Sequence, residues 1–269
     1  MTSVVAPNLQ LTRYNQYQRP YSGLSALTLF CDFDGPIVNV SERYYSTYQV
    51  CLAQTAAFYQ SQGITIPIQS LTKVIFWQMK QTRVPDVEIA MRSGLQGEQI
   101  DFFLKCVLET VNQPVLLEKD RLQPGVSWAL ALLHSQCVRL VLVTLRCQSQ
   151  ARQILRNYGL TRLFSGIYGT TEGHAAYKNY AHQKTELLRL AIKEQSGLSG
   201  ASSSAWMVGD TEADIIAGKA LSIPTIALTC GIRSYLHLKQ FQPTSTQTDL
   251  LTATHYLLAK MKEGRNEQK

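Results

Sequence analysis

The feature that most restricts the fold of this chain is a short apolar run that ends in two acids and a glycine. Residues 24–31 are mostly apolar, and Asp32-Phe33-Asp34-Gly35 follows directly. Such a run predicts a buried strand with functional residues at its carboxyl end. Two carboxylates two residues apart on a strand point to the same side, repel each other and resist burial, so they require a cation. Carboxylate oxygens favour a hard ion, Mg²⁺ above all.

Similar apolar runs recur along the chain and are separated by helical patterns. The runs lie at 138–143, around 167–168, at 205–208 and at 225–228. Alternating strands and helices predict βαβ units, and therefore an α/β fold with a mostly parallel sheet. Residues 41–120 break this alternation, because their spacing and their Gly and Pro positions predict about four helices and no strand.

The chain is therefore expected to have three parts. Residues 24–40 and 121–269 form the α/β core, and residues 41–120 form an all-α cap domain inserted after the first strand. Residues 1–23 contain Pro7 and Pro20 and show no periodicity, so they are expected to be a poorly ordered leader.

Four later residues place further polar groups at the ends of predicted elements. Thr144 ends a strand, Lys184 begins a helix, and Asp210 and Asp214 follow another strand. In a parallel sheet the carboxyl ends of the strands share one edge, where α/β proteins bind ligands. Each signal is ordinary alone: Asp-x-Asp-Gly also occurs in turns, and a Thr often ends a strand. Other residues compete for the later positions, namely Lys178, Lys193, Thr211 and Glu212.

As an ordered set, these motifs resemble those of the haloacid dehalogenase superfamily, in its phosphatase branch with a helical cap. The motifs are Asp32-Phe33-Asp34-Gly35, Thr144, Lys184, and Gly209-Asp210 with Asp214. The resemblance covers roughly residues 24–232. It implies a Rossmann-like, three-layer α/β/α core with a five-stranded, mostly parallel sheet and an inserted helical cap.

The resemblance also implies a role for each motif residue. Asp32 would be the nucleophile that forms an aspartyl-phosphate, and Asp34 the general acid and base. Mg²⁺ would be bound by Asp32, the backbone carbonyl of Asp34, and Asp210. Asp214 would orient the water ligands of the metal or anchor Lys184. Thr144 and Lys184 would bind the phosphoryl oxygens.

The sequence departs from the family pattern at two places. Pro36 follows the glycine of the first motif, and Leu145-Arg146 follows Thr144. Arg146 is a candidate for a second anion contact with the substrate, or else an ordinary surface residue. In the cap, the aromatic and basic cluster of Trp77, Lys80 and Arg83 is the candidate specificity site. The alternative is that Trp77 belongs to the core of the cap, while Lys80 and Arg83 lie on a solvated face.

Composition excludes several classes of protein. The net charge is +7, but the basic residues are not clustered, so we expect no nucleic-acid partner. No apolar stretch reaches the length of a membrane span. Six cysteines form no Cys-x-x-Cys motif, which favours free thiols in a reducing, cytoplasmic setting. The acid-poor start of the chain leaves an organelle-targeting segment as the lesser alternative.

The expected function is therefore that of a Mg²⁺-dependent phosphatase acting on a small phosphorylated metabolite. Its alternative is a non-catalytic or weakly active relative that binds a phosphorylated ligand or a protein partner, which Pro36 and Leu145-Arg146 favour. Within the superfamily, a phosphomutase remains open, as does a phosphonatase that would use Lys73 or Lys80. The sequence names neither the substrate nor the oligomeric state, and it assigns no role to residues 1–23 or to those after 232.

Overall fold

The computed structural model describes residues 27–171, 175–196 and 204–266, so the predicted leader at 1–23 lies outside the described residues. The strands are β1 (Thr28–Cys31), β2 (Val38–Asn39), β3 (Arg121–Leu122), β4 (Arg139–Cys147), β5 (Gly166–Thr170), β6 (Ala205–Gly209), β7 (Thr225–Leu228) and β8 (Ser245–Gln247).

Helices separate most of these strands. They are α1 (Ser41–Gln60), α2 (Lys73–Gln81), α3 (Asp86–Arg92), α4 (Glu98–Thr110), α5 (Pro114–Leu117), α6 (Val126–Ser135), α7 (Gln148–Asn157), α8 (Ala175–Lys178), α9 (Ala181–Ser196), α10 (Glu212–Ala220), α11 (Tyr235–Lys239) and α12 (Leu250–Asn266). A single 3₁₀ turn, Thr161–Leu163, lies between α7 and β5.

The centre of the protein is a six-stranded sheet in the order β5-β4-β1-β6-β7-β8, in which every neighbouring pair is parallel. All four residues of β1 are buried, as expected for a strand covered on both faces. Cys31 is in register with Leu142 of β4 and Val208 of β6. The residues that follow these strands therefore meet at one edge of the sheet.

The predicted α/β fold is confirmed, and the sheet has one strand more than the five expected. The additional strand, β8, reads Ser-Thr-Gln and is only half-buried, so it carries no apolar run that periodicity could detect. It lies at the sheet edge beside β7, where a short polar strand is well tolerated.

Between β2 and β3 lies a stretch of five helices, α1–α5, which we call the helical segment. About four helices were predicted in this stretch, and the fifth is the short α5. The chain enters this segment after β2 and leaves it at β3, and these two strands pair antiparallel. Gln123, just after β3, donates from Nε2 to the carbonyls of Gly35 (2.9 Å) and Cys230 (3.1 Å).

One apolar cluster runs through both parts of the molecule, from Leu29 and Leu142 in the sheet to Tyr48 and Phe103 in the helical segment. Burial of this common core, rather than local propensity, fixes the helical segment against the sheet. Among the described helices, none combines the length and apolarity needed to cross a membrane.

Candidate active site

The residues singled out by the sequence motifs lie together at the carboxyl edge of the sheet. Asp32 and Asp34 follow β1, Thr144 lies near the end of β4, and Asp210 follows β6 directly. Lys184 reaches the same edge from the first turn of α9, and Asp214 from the first turn of α10. All six residues are buried, with exposed fractions of 6% or less.

Lys184 joins two of the carboxylates. Its Nζ lies 2.7 Å from Asp32 Oδ1 and 2.8 Å from Asp214 Oδ1. Although burial disfavours the ammonium, the carboxylates of Asp214 and Asp32 raise the pKa of Lys184, so the side chain stays charged. Asp214 is held in turn by Thr211, whose backbone N–H (3.1 Å) and hydroxyl (2.8 Å) donate to its Oδ2.

Asp210 is surrounded by backbone rather than by cations. Its Oδ2 accepts from the backbone N–H of Ile232 at 2.5 Å. A Cβ at Gly35 would lie 2.1 Å from this oxygen, and one at Gly231 would lie 2.0 Å from it. Its Oδ1 is buried and has no hydrogen-bond partner in the described part of the chain. An orphaned, buried carboxylate oxygen is costly unless a cation binds it.

The charges and distances at this position suit a divalent cation. One carboxylate oxygen from each of Asp32, Asp210 and Asp214 lies within 4.8 Å of the others. Lys184 balances one of these three charges, which leaves two negative charges in a buried space. Burial and the neighbouring carboxylates raise the pKa of Asp32 to about 7 and that of Asp210 well above its usual range. A hard cation with oxygen ligands would relieve this repulsion.

Asp34 belongs to a second ionic cluster, which we call the arginine ring: Asp34, Arg43, Asp120 and Arg146. Arg146 donates from Nε to Asp34 Oδ1 (2.7 Å) and from one terminal nitrogen to Asp120 Oδ2 (2.5 Å). Arg43 donates from one terminal nitrogen to Asp34 Oδ2 and from Nε to Asp120 Oδ1, both at 3.0 Å. Two carboxylates and two guanidinium groups balance, so this cluster is neutral.

The ring changes the chemistry of Asp34. Burial alone would raise the pKa of this carboxyl, but Arg146 and Arg43 together lower it below its usual value. The lowering means that Asp34 is held as a carboxylate, with both oxygens accepting charge-assisted hydrogen bonds.

Thr144 and Arg146 take different positions. The hydroxyl of Thr144 is buried at the sheet edge, and its Oγ1 accepts from the backbone N–H of Arg146 at 3.1 Å. The side chain of Arg146 is buried in the ring and lies over the Phe33 ring at 5.3 Å, so it is not a surface residue. Two of its three nitrogens bind carboxylates. Its contact with a substrate anion stays a prediction.

The three residues predicted in the helical segment differ in burial and in partners. Lys80 is buried and donates from Nζ to Asp86 Oδ1 (2.8 Å) and to the Tyr177 hydroxyl (3.3 Å). Trp77 is half-buried and meets Tyr44 edge-on, with ring centroids 6.3 Å apart. Arg83 is exposed and lies 3.2 Å from Glu212 Oε1.

The end of α2 contacts the core beside the acids. Ser234 donates its backbone N–H to the Gln81 carbonyl (2.9 Å), and Arg233 donates to the Lys80 carbonyl (3.1 Å). Arg233 also binds Glu212 Oε2 at 2.8 Å, from the first turn of α10. These contacts close the helical segment over the sheet edge and explain why the acids are shielded from solvent.

Sequence reasoning missed Arg43, Asp120 and Arg233. Arg43 and Asp120 are 77 positions apart, and no motif joins them. Arg43 lies on the buried face of α1, where a charged residue breaks the apolar pattern and was the one available signal. Lys73, the other lysine that a phosphonatase would use, is partly exposed and binds Glu42 at 2.6 Å.

Comparison with known proteins gives several relatives. A phosphoglycolate phosphatase of Mesorhizobium japonicum is 31% identical over 158 residues, which is 58% of this chain and 64% of that protein. The chain thus matches somewhat less than two thirds of that relative. The pyrophosphatase PpaX of Listeria monocytogenes is 24% identical over 216 residues, covering 80% of this chain and 89% of the relative.

Solved structures share the fold. A putative phosphatase from Clostridium difficile superposes with a TM-score of 0.65 at 17% identity, over 87% of this chain and 100% of that one. A haloacid dehalogenase-like protein from Streptococcus pneumoniae superposes with a TM-score of 0.62 at 20% identity, over 87% and 99%. The sequence profile described as "Haloacid dehalogenase-like hydrolase" matches residues 29–228, more than half of the chain. The protein therefore belongs to the haloacid dehalogenase-like hydrolases.

Proposed function

We propose that the protein is a Mg²⁺-dependent phosphatase that hydrolyses a small phosphorylated metabolite through an aspartyl-phosphate on Asp32. The observation that carries this proposal is the buried group of Asp32, Asp210 and Asp214 with Lys184 among them. Its two uncompensated negative charges suit a divalent cation, and its place at the carboxyl edge of a parallel sheet suits a phosphate.

In this proposal the side chains of Asp32, Asp210 and Asp214, with the Asp34 carbonyl, hold the metal. The bound ion supplies charge neutralisation, so that an anionic nucleophile can approach an anionic phosphate. Lys184 and the Thr144 hydroxyl bind the non-bridging phosphoryl oxygens, where charge shifts as the reaction proceeds.

The reaction takes two displacements at phosphorus. A carboxylate oxygen of Asp32 forms a bond to phosphorus while the bond to the leaving oxygen breaks. Asp34, which first takes up a proton from solvent against the pull of the two arginines, donates that proton to the leaving oxygen. Water then attacks the phosphorus of the aspartyl-phosphate, Asp34 accepts the water proton, and Asp32 leaves as a carboxylate. Phosphate is released, and both acids return to their starting state.

The helical segment acts as the cap in this scheme. Its α2 end contacts Arg233 and Ser234 beside the acids, so a bound substrate is enclosed and shielded from bulk water, apart from the water that attacks the aspartyl-phosphate. An enclosed site favours a small substrate over a phosphoprotein. Substrates named for the relatives, phosphoglycolate and pyrophosphate, are both small enough to be first choices. Lys80 and Trp77 are the proposed specificity residues, because groups remote from phosphorus would face the cap.

A second candidate is a binding protein with little turnover, and the arginine ring favours it. Both oxygens of Asp34 are engaged by guanidinium groups, which restrict its use in proton transfer. Under this alternative the protein would bind a phosphorylated ligand and release phosphate slowly or not at all.

Phosphate release distinguishes the two functions. The assay uses phosphoglycolate, pyrophosphate, a sugar phosphate and a nucleotide, each with Mg²⁺ and with a chelator. Mg²⁺-dependent release supports the phosphatase, and the order of rates narrows the substrate. A protein that melts at a higher temperature with one of these ligands yet releases no phosphate is a binding protein instead.

A further inference from the structure

We infer that Arg233 is a positioning residue that couples closure of the α2 end over the sheet edge to cation binding at Asp210. The inference rests on the proposed function, in which Asp210 is one of the Mg²⁺ ligands. It adds a residue outside the sequence motifs, and it gives a role to residues 230–234. These residues follow β7, and we call them the linking loop.

One side of the linking loop holds Asp210. The backbone N–H of Ile232 donates to Asp210 Oδ2 at 2.5 Å, and Gly231 lies so close that a Cβ there would be 2.0 Å from the same oxygen. Because the loop fixes Oδ2, the atom left for a cation is Oδ1, which has no hydrogen-bond partner among the described residues. The position of the loop therefore sets the orientation of this carboxylate.

The other side of the linking loop holds the end of α2. Arg233 donates from one terminal nitrogen to the Lys80 carbonyl at 3.1 Å, and the backbone N–H of Ser234 donates to the Gln81 carbonyl at 2.9 Å. In return, Gln81 donates from Nε2 to the Gly231 carbonyl at 3.4 Å. The α2 end cannot move away from the sheet edge unless these contacts to the loop break.

Arg233 also binds the element that follows Asp210. Its Nε lies 2.8 Å from Glu212 Oε2, and a terminal nitrogen lies 3.4 Å from Glu212 Oε1. Glu212 is in the first turn of α10, two residues after Asp210. The guanidinium is planar, presents its donors in fixed directions and is 3% exposed. It therefore holds the α2 end, the loop and the start of α10 in one geometry.

The closed arrangement is the one that prepares Asp210 for a cation. Asp32, Lys184 and Asp210 are at most 6% exposed in it, so the α2 end must move before a substrate reaches Asp32. With α2 in place the loop holds Asp210 Oδ2, and a cation on Oδ1 would in turn hold the loop. Such a coupling is reciprocal and typically changes an affinity by about 5–150-fold.

The test follows both directions of the coupling in the whole protein without substrate. Calorimetric titration gives the Kd for Mg²⁺, and hydrogen–deuterium exchange of residues 73–84 is measured with Mg²⁺ and with a chelator. In the wild type, Mg²⁺ should slow exchange at the α2 end, because that end opens less often. Asp210→Asn should remove this slowing. Helix α4, which packs on α1, is the internal reference and should exchange equally in both conditions.

Two substitutions separate positioning from charge. The positive charge of Arg233 acts on Asp210, so by Coulomb's law alone Arg233→Met would strengthen Mg²⁺ binding. We expect the opposite, a Kd about 10-fold higher, together with loss of the Mg²⁺-dependent slowing at α2. Arg233→Lys keeps the charge and loses the fork, and its Kd should rise about 5-fold. Arg92→Met, which removes an exposed arginine of α3, should change neither measurement.

A merely structural role gives a different pattern. It would speed exchange of α2 equally with Mg²⁺ and with chelator, and it would leave the Kd unchanged. That pattern, or tighter Mg²⁺ binding in Arg233→Met, overturns the inference while the proposed function stands. If the wild type binds no Mg²⁺, the proposed function loses its metal and the inference falls with it.

A further variant covers the case in which Arg233→Met does not fold. Gln81→Ala removes one hydrogen bond between α2 and the linking loop and leaves Arg233 in place. Its Kd for Mg²⁺ should rise about 3-fold, the effect of one hydrogen bond. Together with Arg233→Lys it then decides the matter, and an unchanged Kd in both contradicts the coupling.

Discussion

Two buried cations at the sheet edge each lie between two carboxylates. Lys184 lies between Asp32 and Asp214, and Arg146 lies between Asp34 and Asp120. Isolated charges would be too costly at these depths, whereas paired and hydrogen-bonded ones are tolerated. The two clusters differ in net charge. The group of Asp32, Asp210, Asp214 and Lys184 carries two negative charges, and the arginine ring is neutral. That difference marks the group around Lys184, and not the arginine ring, as the position for a cation.

Thr144 offers a direct test of phosphate binding, because its hydroxyl can be removed or kept by substitutions that change the side chain little. Thr144→Val keeps the shape and removes the hydroxyl, and we expect kcat to fall about 10²–10³-fold. Thr144→Ser keeps the hydroxyl and should stay within about 10-fold of the wild type. The backbone N–H of Arg146 loses its acceptor in the valine variant, which costs about 1–3 kcal/mol of unfolding free energy. Steady-state kinetics and denaturant unfolding measure the two effects separately, and undiminished turnover in Thr144→Val would remove Thr144 from the proposed site.

Among the connecting elements, the loop after β1 is the most constrained. Gly35 has a φ of +97° and leaves room for Asp210, since a Cβ there would lie 2.1 Å from a carboxylate oxygen. Gly35→Ala is therefore expected to displace Asp210 and weaken Mg²⁺ binding, in addition to about 1 kcal/mol of backbone strain. Gly63→Ala is the matched control, because Gly63 has a φ of +78° with open space around it. Calorimetric titration with Mg²⁺ should show weaker binding in Gly35→Ala and unchanged binding in Gly63→Ala; equal affinities would contradict the close packing of Asp210.

The elements also show which features a sequence can predict. The buried strands β1, β4, β6 and β7 are continuous apolar runs, so composition and length identify them. The polar strand β8 has no such pattern, because its only requirement is to add backbone hydrogen bonds at the edge beside β7. The motif residues that follow these strands could be foreseen to lie together, since a parallel sheet places the carboxyl ends of its strands at one edge.

The arginine ring could not be foreseen in this way. Arg43 contacts Asp120 because β2 pairs with β3, which brings the start and the end of the helical segment together. That contact depends on the return path of the chain after five helices, and no local pattern encodes it. The sequence places Arg146 near the site because it lies two residues after Thr144. Its partners, however, depend on the same long-range pairing.

The stability of the folded protein should depend on the metal. Buried carboxylates repel one another without a cation, so under the proposed function we expect Mg²⁺ to bind the native state and to stabilise it by about 2.7 kcal/mol at a hundredfold excess over Kd. In a protein of this size the melting temperature should rise by about 5–10 °C. Asp210→Asn removes one ligand and one unbalanced charge, and it should abolish most of this rise while leaving the metal-free protein as stable as before or more so. A thermal melt with Mg²⁺ and with a chelator measures both; identical rises in the two proteins would exclude Asp210 as a ligand.

In the proposed mechanism the phosphoryl group is transferred to Asp32 before it reaches water. The most direct measurement is an acid quench during turnover, with Mg²⁺ and the best substrate of the panel, followed by peptide mass spectrometry. We predict a phosphoryl group on the peptide that contains Asp32, absent from Asp32→Asn, whose phosphate release also falls to the background. A phosphoryl group found on another residue, or full activity retained by a folded Asp32→Asn protein, would contradict the proposed mechanism.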